Sequence, residues 1–141
     1  IAAGQLIDRT GQLLGLPFPS GKHLDNLSSS CSGKDFFRVK CPELTFSLSG
    51  VQNKVNAYYE CHTPEETASY AINSVAQAVL AATQNALKQY PGLSVVFSGG
   101  VASNSALRRT MEPLMPIFCE PKYSTDNAMG IAVLTYLAME D

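Results

Sequence analysis

The stretch with the most chemical potential is Gly99-Gly100, where the apolar run Leu93-Ser94-Val95-Val96-Phe97-Ser98 meets Val101-Ala102-Ser103-Asn104. A glycine pair lets the backbone turn tightly and leaves no side chain between it and an approaching molecule. A phosphate or a nucleoside could then lie against bare peptide at the head of the helix that follows, whose free N–H groups and dipole favour anions. The same pair can also do no more than end a strand. Two carboxylates are open in the same way. Asp8 falls in mid-helix beside Arg9, where a lone acid is usually a solvated surface group. Asp126 falls on the first turn of the last helix, where an acid caps N–H groups and suits the dipole without further purpose. His23 and His62 have no second histidine nearby, so neither forms a ligand pair by spacing, and both read as polar surface residues.

The elements that must position these residues follow from periodicity. Leu6, Ile7, Leu13, Leu14 and Leu16 recur at helical spacing across Ala2–Leu16, and Pro17-Phe18-Pro19-Ser20-Gly21 stops that helix. A short helix through His23, Leu24, Asp25 and Leu27 follows, then a polar loop from Ser28 to Gly33. Phe36–Ser47 carries β-type residues, with Leu44-Thr45-Phe46-Ser47 as the strand and Ser49 as the N-cap of a helix bearing Val51, Val55 and Tyr58. Thr63-Pro64-Glu65-Glu66 is a capping box with proline at the first helical position. It opens a long packing helix with Ile72, Val75, Ala76, Val79, Leu80, Thr83, Ala86 and Leu87 on one stripe, ended by Tyr90-Pro91-Gly92. Beyond the Gly-Gly strand and its helix, Pro116–Pro121 allows only a short strand. A last helix then carries Ile131, Val133, Leu134 and Leu137. The alternation of helices and strands is that of an α/β domain without internal repeats.

Composition narrows the function classes. With 141 residues, 45% of them hydrophobic, the chain suits one domain with its own core. Ten Lys and Arg against twelve Asp and Glu give a net charge of −2, so nothing in the sequence resembles a basic nucleic-acid stripe, and if RNA binds, other surfaces are expected to contribute. Cys31, Cys41, Cys61 and Cys119 lie far apart with no C-x-x-C spacing, as expected for a reduced, cytoplasmic protein. No stretch approaches the roughly 18 apolar residues of a membrane span, so no membrane partner is expected. The chain starts at Ile1-Ala2-Ala3, within a helical pattern and without methionine, and is expected to be part of a longer protein.

Four stretches in order resemble the C-terminal half of the tRNA threonylcarbamoyladenosine synthase family, also labelled glycoprotease or O-sialoglycoprotein endopeptidase. They are Gly4-Gln5-Leu6-Ile7-Asp8 with Leu14-Gly15-Leu16-Pro17-Phe18-Pro19-Ser20-Gly21; Thr45-Phe46-Ser47-Leu48-Ser49-Gly50; Gly99-Gly100-Val101-Ala102-Ser103-Asn104 with Leu107-Arg108; and Thr125-Asp126-Asn127-Ala128 with Ile131-Ala132. The resemblance implies an α/β lobe of the actin-like ATPase superfamily, a ribonuclease H-like mixed sheet with flanking helices. In that superfamily two such halves close over a nucleotide. It implies that residues 1–141 form a single C-terminal lobe, the N-terminal lobe lying outside this chain. It further implies that Asp8 accepts hydrogen bonds from ribose hydroxyls, that Gly21 admits the nucleoside with Asp25 as a second polar contact, that Gly99 and Gly100 line an adenylate oriented by Asn104, and that Asp126 is a ligand of a divalent metal: iron, zinc or magnesium.

The implied reaction transfers threonylcarbamoyl from its adenylate to N6 of an adenosine in tRNA, with partner subunits of a modification complex. The family's other metal ligands form a His-x-x-x-His pair in its N-terminal half. Departures from the pattern are Gln5 for glutamate, Ser20 for glycine, Val51-Gln52-Asn53 for Leu-Lys-Thr, and Ser124 for cysteine. The older endopeptidase label would require a metal-bound water and a general base, typically on a His-Glu-x-x-His helix, and this sequence has no such helix. A non-catalytic scaffold relative is the remaining alternative, to which Gln5 and Ser20 lend slight support.

Overall fold

The computed structural model of the chain describes residues 1–118. Helices α1 (Ala3–Leu13), α2 (Gly21–Ser29), α3 (Val51–Tyr59) and α4 (Pro64–Gln89) precede β1 (Val96–Phe97), α5 (Ser105–Met111) and β2 (Ile117–Phe118). Single turns of 3₁₀ helix lie at Val101–Ser103 and Glu112–Leu114. The result is a mixed α/β arrangement, mostly helical. The strands β1 and β2 pair in parallel, Val96 opposite Ile117 and Phe97 opposite Phe118, with α5 in the crossover between them.

The long helix α4 organises the packing. The Thr63 hydroxyl accepts from the Glu66 N–H at 3.2 Å while the Glu66 carboxylate accepts from the Thr63 N–H at 3.0 Å, so the capping box forms as read. Small residues, among them Ala68, Ala71, Ser74, Ala76 and Ala78, let other helices approach α4 closely, and it contributes to all three apolar clusters. Leu6, Val51 and Val55 pack beside Ala71 and Val75; Ile7 and Leu24 beside Ala68 and Ile72; Leu107 and Met111 beside Ala76. Each fully buried Leu or Val there contributes about 1.5–3 kcal/mol. Burial fades along the helix, and Thr83, Ala86 and Leu87 line an open cleft instead.

The first helix is shorter than its periodicity. It ends at Gly15, whose φ of +74° a side chain would resist, before Pro17 is reached. The Leu16 N–H donates to the Gly11 carbonyl at 2.8 Å and the Gly15 N–H to Gln12 at 3.1 Å, the paired bonds of a Schellman end. The expected strand at Leu44–Ser47 does not form. Phe37, Val39 and Phe46 do pack on the core, but α4 side chains take the place of a neighbouring strand. Ser74 Oγ accepts from the Phe37 N–H at 2.9 Å, and Asn85 Nδ2 donates to the carbonyls of Cys41 at 3.0 Å and Glu43 at 2.6 Å.

The cap of α3 is also displaced. Gly50 occupies the N-cap position, and Ser49 Oγ accepts from Ser47 Oγ at 3.1 Å rather than capping the helix. The strand read at Leu93–Ser98 contracts to Val96–Phe97. The remainder of the last strand, the last helix, Cys119 and Asp126 lie outside the described residues.

Beside the core, α3 meets α4 through a three-ring stack. Tyr58 lies between His62, at 3.6 Å, and Tyr70, at 4.0 Å, with planes tilted by only 4° and 9°. The Tyr58 hydroxyl donates to Asp35 at 3.0 Å. Burial, then that hydrogen bond, pushes the Tyr58 pKa up to about 12.

Candidate functional site

One cavity, of about 560 Å³, opens where α1, α2 and the turn before α5 converge. Its size falls within the roughly 300–1,000 Å³ usual for small-molecule sites. Of the residues singled out by sequence, Asp8, Gly21, Asp25, Gly100 and Asn104 line it, and Gly4, Ile7, Pro19, Lys22, Val101 and Ser103 complete the wall. Stretches nearly a hundred residues apart are thus brought to one opening. Gly99 is outside the lining. Its φ of +99° makes the turn instead, and its carbonyl accepts from the Ala102 N–H at 3.1 Å.

The polar side chains at the rim are held by the protein itself. Asp8 Oδ1 accepts from the Ser20 N–H at 2.8 Å, which ties α1 to the turn entering α2 and fixes the carboxylate plane. Asp25 gives both oxygens to Ser105: Oδ1 accepts from the hydroxyl at 2.7 Å and Oδ2 from the N–H at 3.1 Å, joining α2 to α5. Asn104 is buried, and its Oδ1 caps α5 by accepting from the Leu107 N–H at 3.0 Å. With the oxygen so assigned, the amide Nδ2 is the donor left over. These contacts correct one expectation. At the head of α5 two of the N–H groups expected to be open to an anion are already taken, that of Leu107 by Asn104 and that of Ser105 by Asp25.

Glycine at two wall positions has no internal cause. Among the described residues, a Cβ built on Gly21 or on Gly100 would meet nothing within 4 Å. Gly100 has an ordinary right-handed φ of −59°. Neither packing nor backbone torsion therefore requires glycine at Gly100, and packing does not require it at Gly21. What the absent side chains do is keep the cavity wide.

The departures at Gln5 and Ser20 stay out of this space. Gln5 Oε1 accepts from the Ala2 N–H at 3.1 Å, a bond a glutamate would also make. Ser20 is buried against Gly11, with its hydroxyl donating to the Pro17 carbonyl at 3.0 Å. Together with Arg9 and Gln12, both residues line a neighbouring opening, which shares Asp8 with the first.

Sequence reasoning missed Lys22 and Ser103. The signal for Lys22 was its place directly after Gly21, on the first turn of α2; Ser103 had none beyond adjacency to Asn104. His23 lies outside the lining and is exposed, while His62 belongs to the tyrosine stack. No group of three or more His, Cys, Asp or Glu among the described residues could hold a metal ion. Cys31, Cys41 and Cys61 are unbridged, and no helix among the described residues is long and apolar enough to cross a membrane.

Comparison with known proteins adds an independent line. The family model for tRNA N6-adenosine threonylcarbamoyltransferase (TsaD) matches residues 1–133. The protein of that name from Streptococcus suis is 34% identical over 122 aligned residues, covering 78% of this chain and 36% of the relative. Its counterpart from Carboxydothermus hydrogenoformans is 32% identical over 149, covering 96% and 44%, and that from Chlorobium chlorochromatii is 30% identical over 165, covering 98% and 47%. The chain therefore spans between about a third and a half of the length of these curated relatives.

Proposed function

Because the chain belongs to the tRNA N6-adenosine threonylcarbamoyltransferase family, we propose that it is the C-terminal, nucleotide-contacting lobe of an enzyme transferring threonylcarbamoyl from its adenylate to N6 of an adenosine in tRNA. The observation that carries this reading is the cavity itself, which gathers Asp8, Gly21, Asp25, Gly100 and Asn104 at one opening of nucleotide size. In the reaction the N6 nitrogen forms a bond to the carbamoyl carbon. The bond from that carbon to the adenylate phosphate oxygen breaks, the N6 proton is lost, and AMP departs.

The lobe binds and orients rather than reacts. Asp8, one oxygen pinned by Ser20, presents the other to a ribose hydroxyl, and a carboxylate already held in place loses little freedom on binding. Asn104, its oxygen engaged by the cap, offers Nδ2 to the base or sugar. Gly21 and Gly100 let the nucleoside lie against backbone. Asp25 braces α2 against α5 and shapes the wall without a free oxygen pair of its own. Lys22 supplies the cation that balances phosphate charge.

Asp126 is proposed as this chain's ligand to a divalent iron, zinc or magnesium ion; the described residues add no cluster to it. An actin-like arrangement closing a second lobe over the nucleotide, partner subunits and a cytoplasmic setting belong to the same reading. The test is titration of AMP into the 141-residue chain with Asp8→Asn and Asn104→Asp variants. Asn104→Asp keeps a capping oxygen for Leu107 and removes only the donor. The reading expects each variant to weaken AMP binding by about tenfold, roughly 1.4 kcal/mol, at unchanged melting temperature. Equal affinity in native chain and variants would refute the assigned roles.

A further inference from the structure

A second cavity, of about 610 Å³, lies between the end of α2, the loop after it, α4 and α5. Its chemistry differs from that of the first. Among the lining residues are Cys31, Lys34, Asn73, Gln77, Arg109 and Thr110, and none of the described residues that line it is a carboxylate. In a chain with more acidic than basic residues, a carboxylate-free opening with two cations is a local reversal of the overall charge. Lys34 and Arg109 are exposed and make no ion pair with another described residue. Asp35, next to Lys34 in sequence, directs its carboxylate to the Tyr58 hydroxyl. The half-buried Gln77 amide also makes no hydrogen bond within the described residues.

The floor is built rather than loose. Ser69 Oγ donates to the Gly33 carbonyl at 2.9 Å, and Asn73 Nδ2 donates to the same carbonyl at 3.2 Å and to Asp35 O at 3.4 Å, fastening the loop to α4. Two cations and a side-chain amide around a fixed floor are the donor set of an anion site, and the planar guanidinium suits a phosphate in particular.

Position identifies the source of that phosphate. On α2, Asp25 lines the first cavity and Ser28 the second; on the α5 side, Asn104 lines the first and Ala106 and Arg109 the second. Both openings therefore lie along the seam between α2 and α5, with lining residues on successive turns of α2. A free phosphate would have no reason to bind beside the nucleotide opening, whereas a polynucleotide whose base is modified there carries its backbone past this point. We infer that the second cavity takes a backbone phosphate of the RNA substrate, held by Lys34 and Arg109 with Gln77 as a neutral donor. This inference rests on the function proposed above.

The test measures binding of an unmodified tRNA transcript to the 141-residue chain over a range of salt concentrations. It compares the native chain with Lys34→Gln/Arg109→Gln and with the equal-charge control Lys40→Gln/Lys88→Gln near the other end of α4. The expected result is an affinity lower by on the order of tenfold at 0.1 M salt, and a log–log salt slope smaller by about 1 to 2, in the first double variant alone. The transcript should also shield Cys31 from iodoacetamide while leaving exposed Cys61 reactive, and that shielding should vanish with Lys34 and Arg109. Equal losses in both double variants, or no tRNA binding by the native chain up to about 100 μM, would overturn the inference. So would shielding of Cys31 by inorganic phosphate but not by RNA. AMP titration of the same samples separates the two claims: AMP binding with tRNA affinity indifferent to Lys34 and Arg109 removes only this one.

Discussion

Gly11 and Gly100 are the same residue serving opposite ends. Beneath Gly11 the protein leaves no room: a Cβ there would overlap Ser20 Oγ and Cβ. Around Gly100 no described residue lies within 4 Å for a Cβ to meet. One glycine closes a contact between α1 and the start of α2, and that contact sets the Ser20 N–H against Asp8. The other keeps an opening clear. A glycine that packing explains says nothing about a ligand, while Gly100, which neither described packing nor torsion explains, stands on a cavity wall.

The most damaging way to probe this contrast is Gly11→Ala. Overpacking against Ser20 should destabilise the fold by about 1–3 kcal/mol, lowering the melting temperature and weakening AMP binding through the displaced Asp8 partner. Ser20→Gly in the same chain removes the two overlapping Ser20 atoms and leaves the Ser20-position backbone at 3.6 Å, an ordinary contact. A double-mutant cycle by thermal denaturation should therefore recover most of the loss; simple additivity would contradict the packing account. Gly21→Ala makes the opposite prediction. Its stability should hold or rise by up to about 1 kcal/mol while AMP affinity falls by about tenfold, read by denaturation and calorimetry on one sample.

Smaller effects sharpen the framework around the cavity. Ser105→Ala removes the hydroxyl bond to Asp25 and leaves the backbone one, so urea denaturation should register about 0.5–1.5 kcal/mol and AMP affinity should change less than in Gly21→Ala. Tyr58, away from both cavities, makes stability depend on alkaline pH. Its pKa in the fold is raised from 10 to about 12, so the neutral form is favoured; the associated stability is complete below pH 10 and lost as pH rises through about 12. Tyr58→Phe should make the decline between pH 10 and 12 shallower without abolishing it, since the pKa of Tyr70 is raised as well.

Local chemistry was the legible part of this fold. Thr63 and Glu66 announced the start of α4 because a capping box needs only residues three apart. Leu44–Ser47 misled for the complementary reason. Aromatic and β-branched residues signal a half-buried surface, and here α4 supplies that surface to Phe46, while Ser74 and Asn85 bond the backbone of the preceding stretch at Phe37, Cys41 and Glu43.

At the site, Asp8, Gly21, Asp25, Gly100 and Asn104 were named from sequence, and the fold brings them to one wall. Their internal duties were not legible. That Asp25 spends both oxygens on Ser105, 80 residues away, depends on the docking of α2 against α5. The Lys34–Arg109 cavity was hidden for the same reason, since its two cations are distant in sequence and the net charge of −2 masks them.

The most direct measurement is calorimetric titration of AMP into the native chain and Gly100→Ala, with melting curves on the same preparations. The account predicts weak binding by the native chain, in the millimolar range or about −4 kcal/mol, and at least tenfold weaker binding by Gly100→Ala at an unchanged melting temperature. Equal affinities, or a loss of binding that tracks a loss of stability, would contradict the claim that the glycine wall exists to admit a nucleotide.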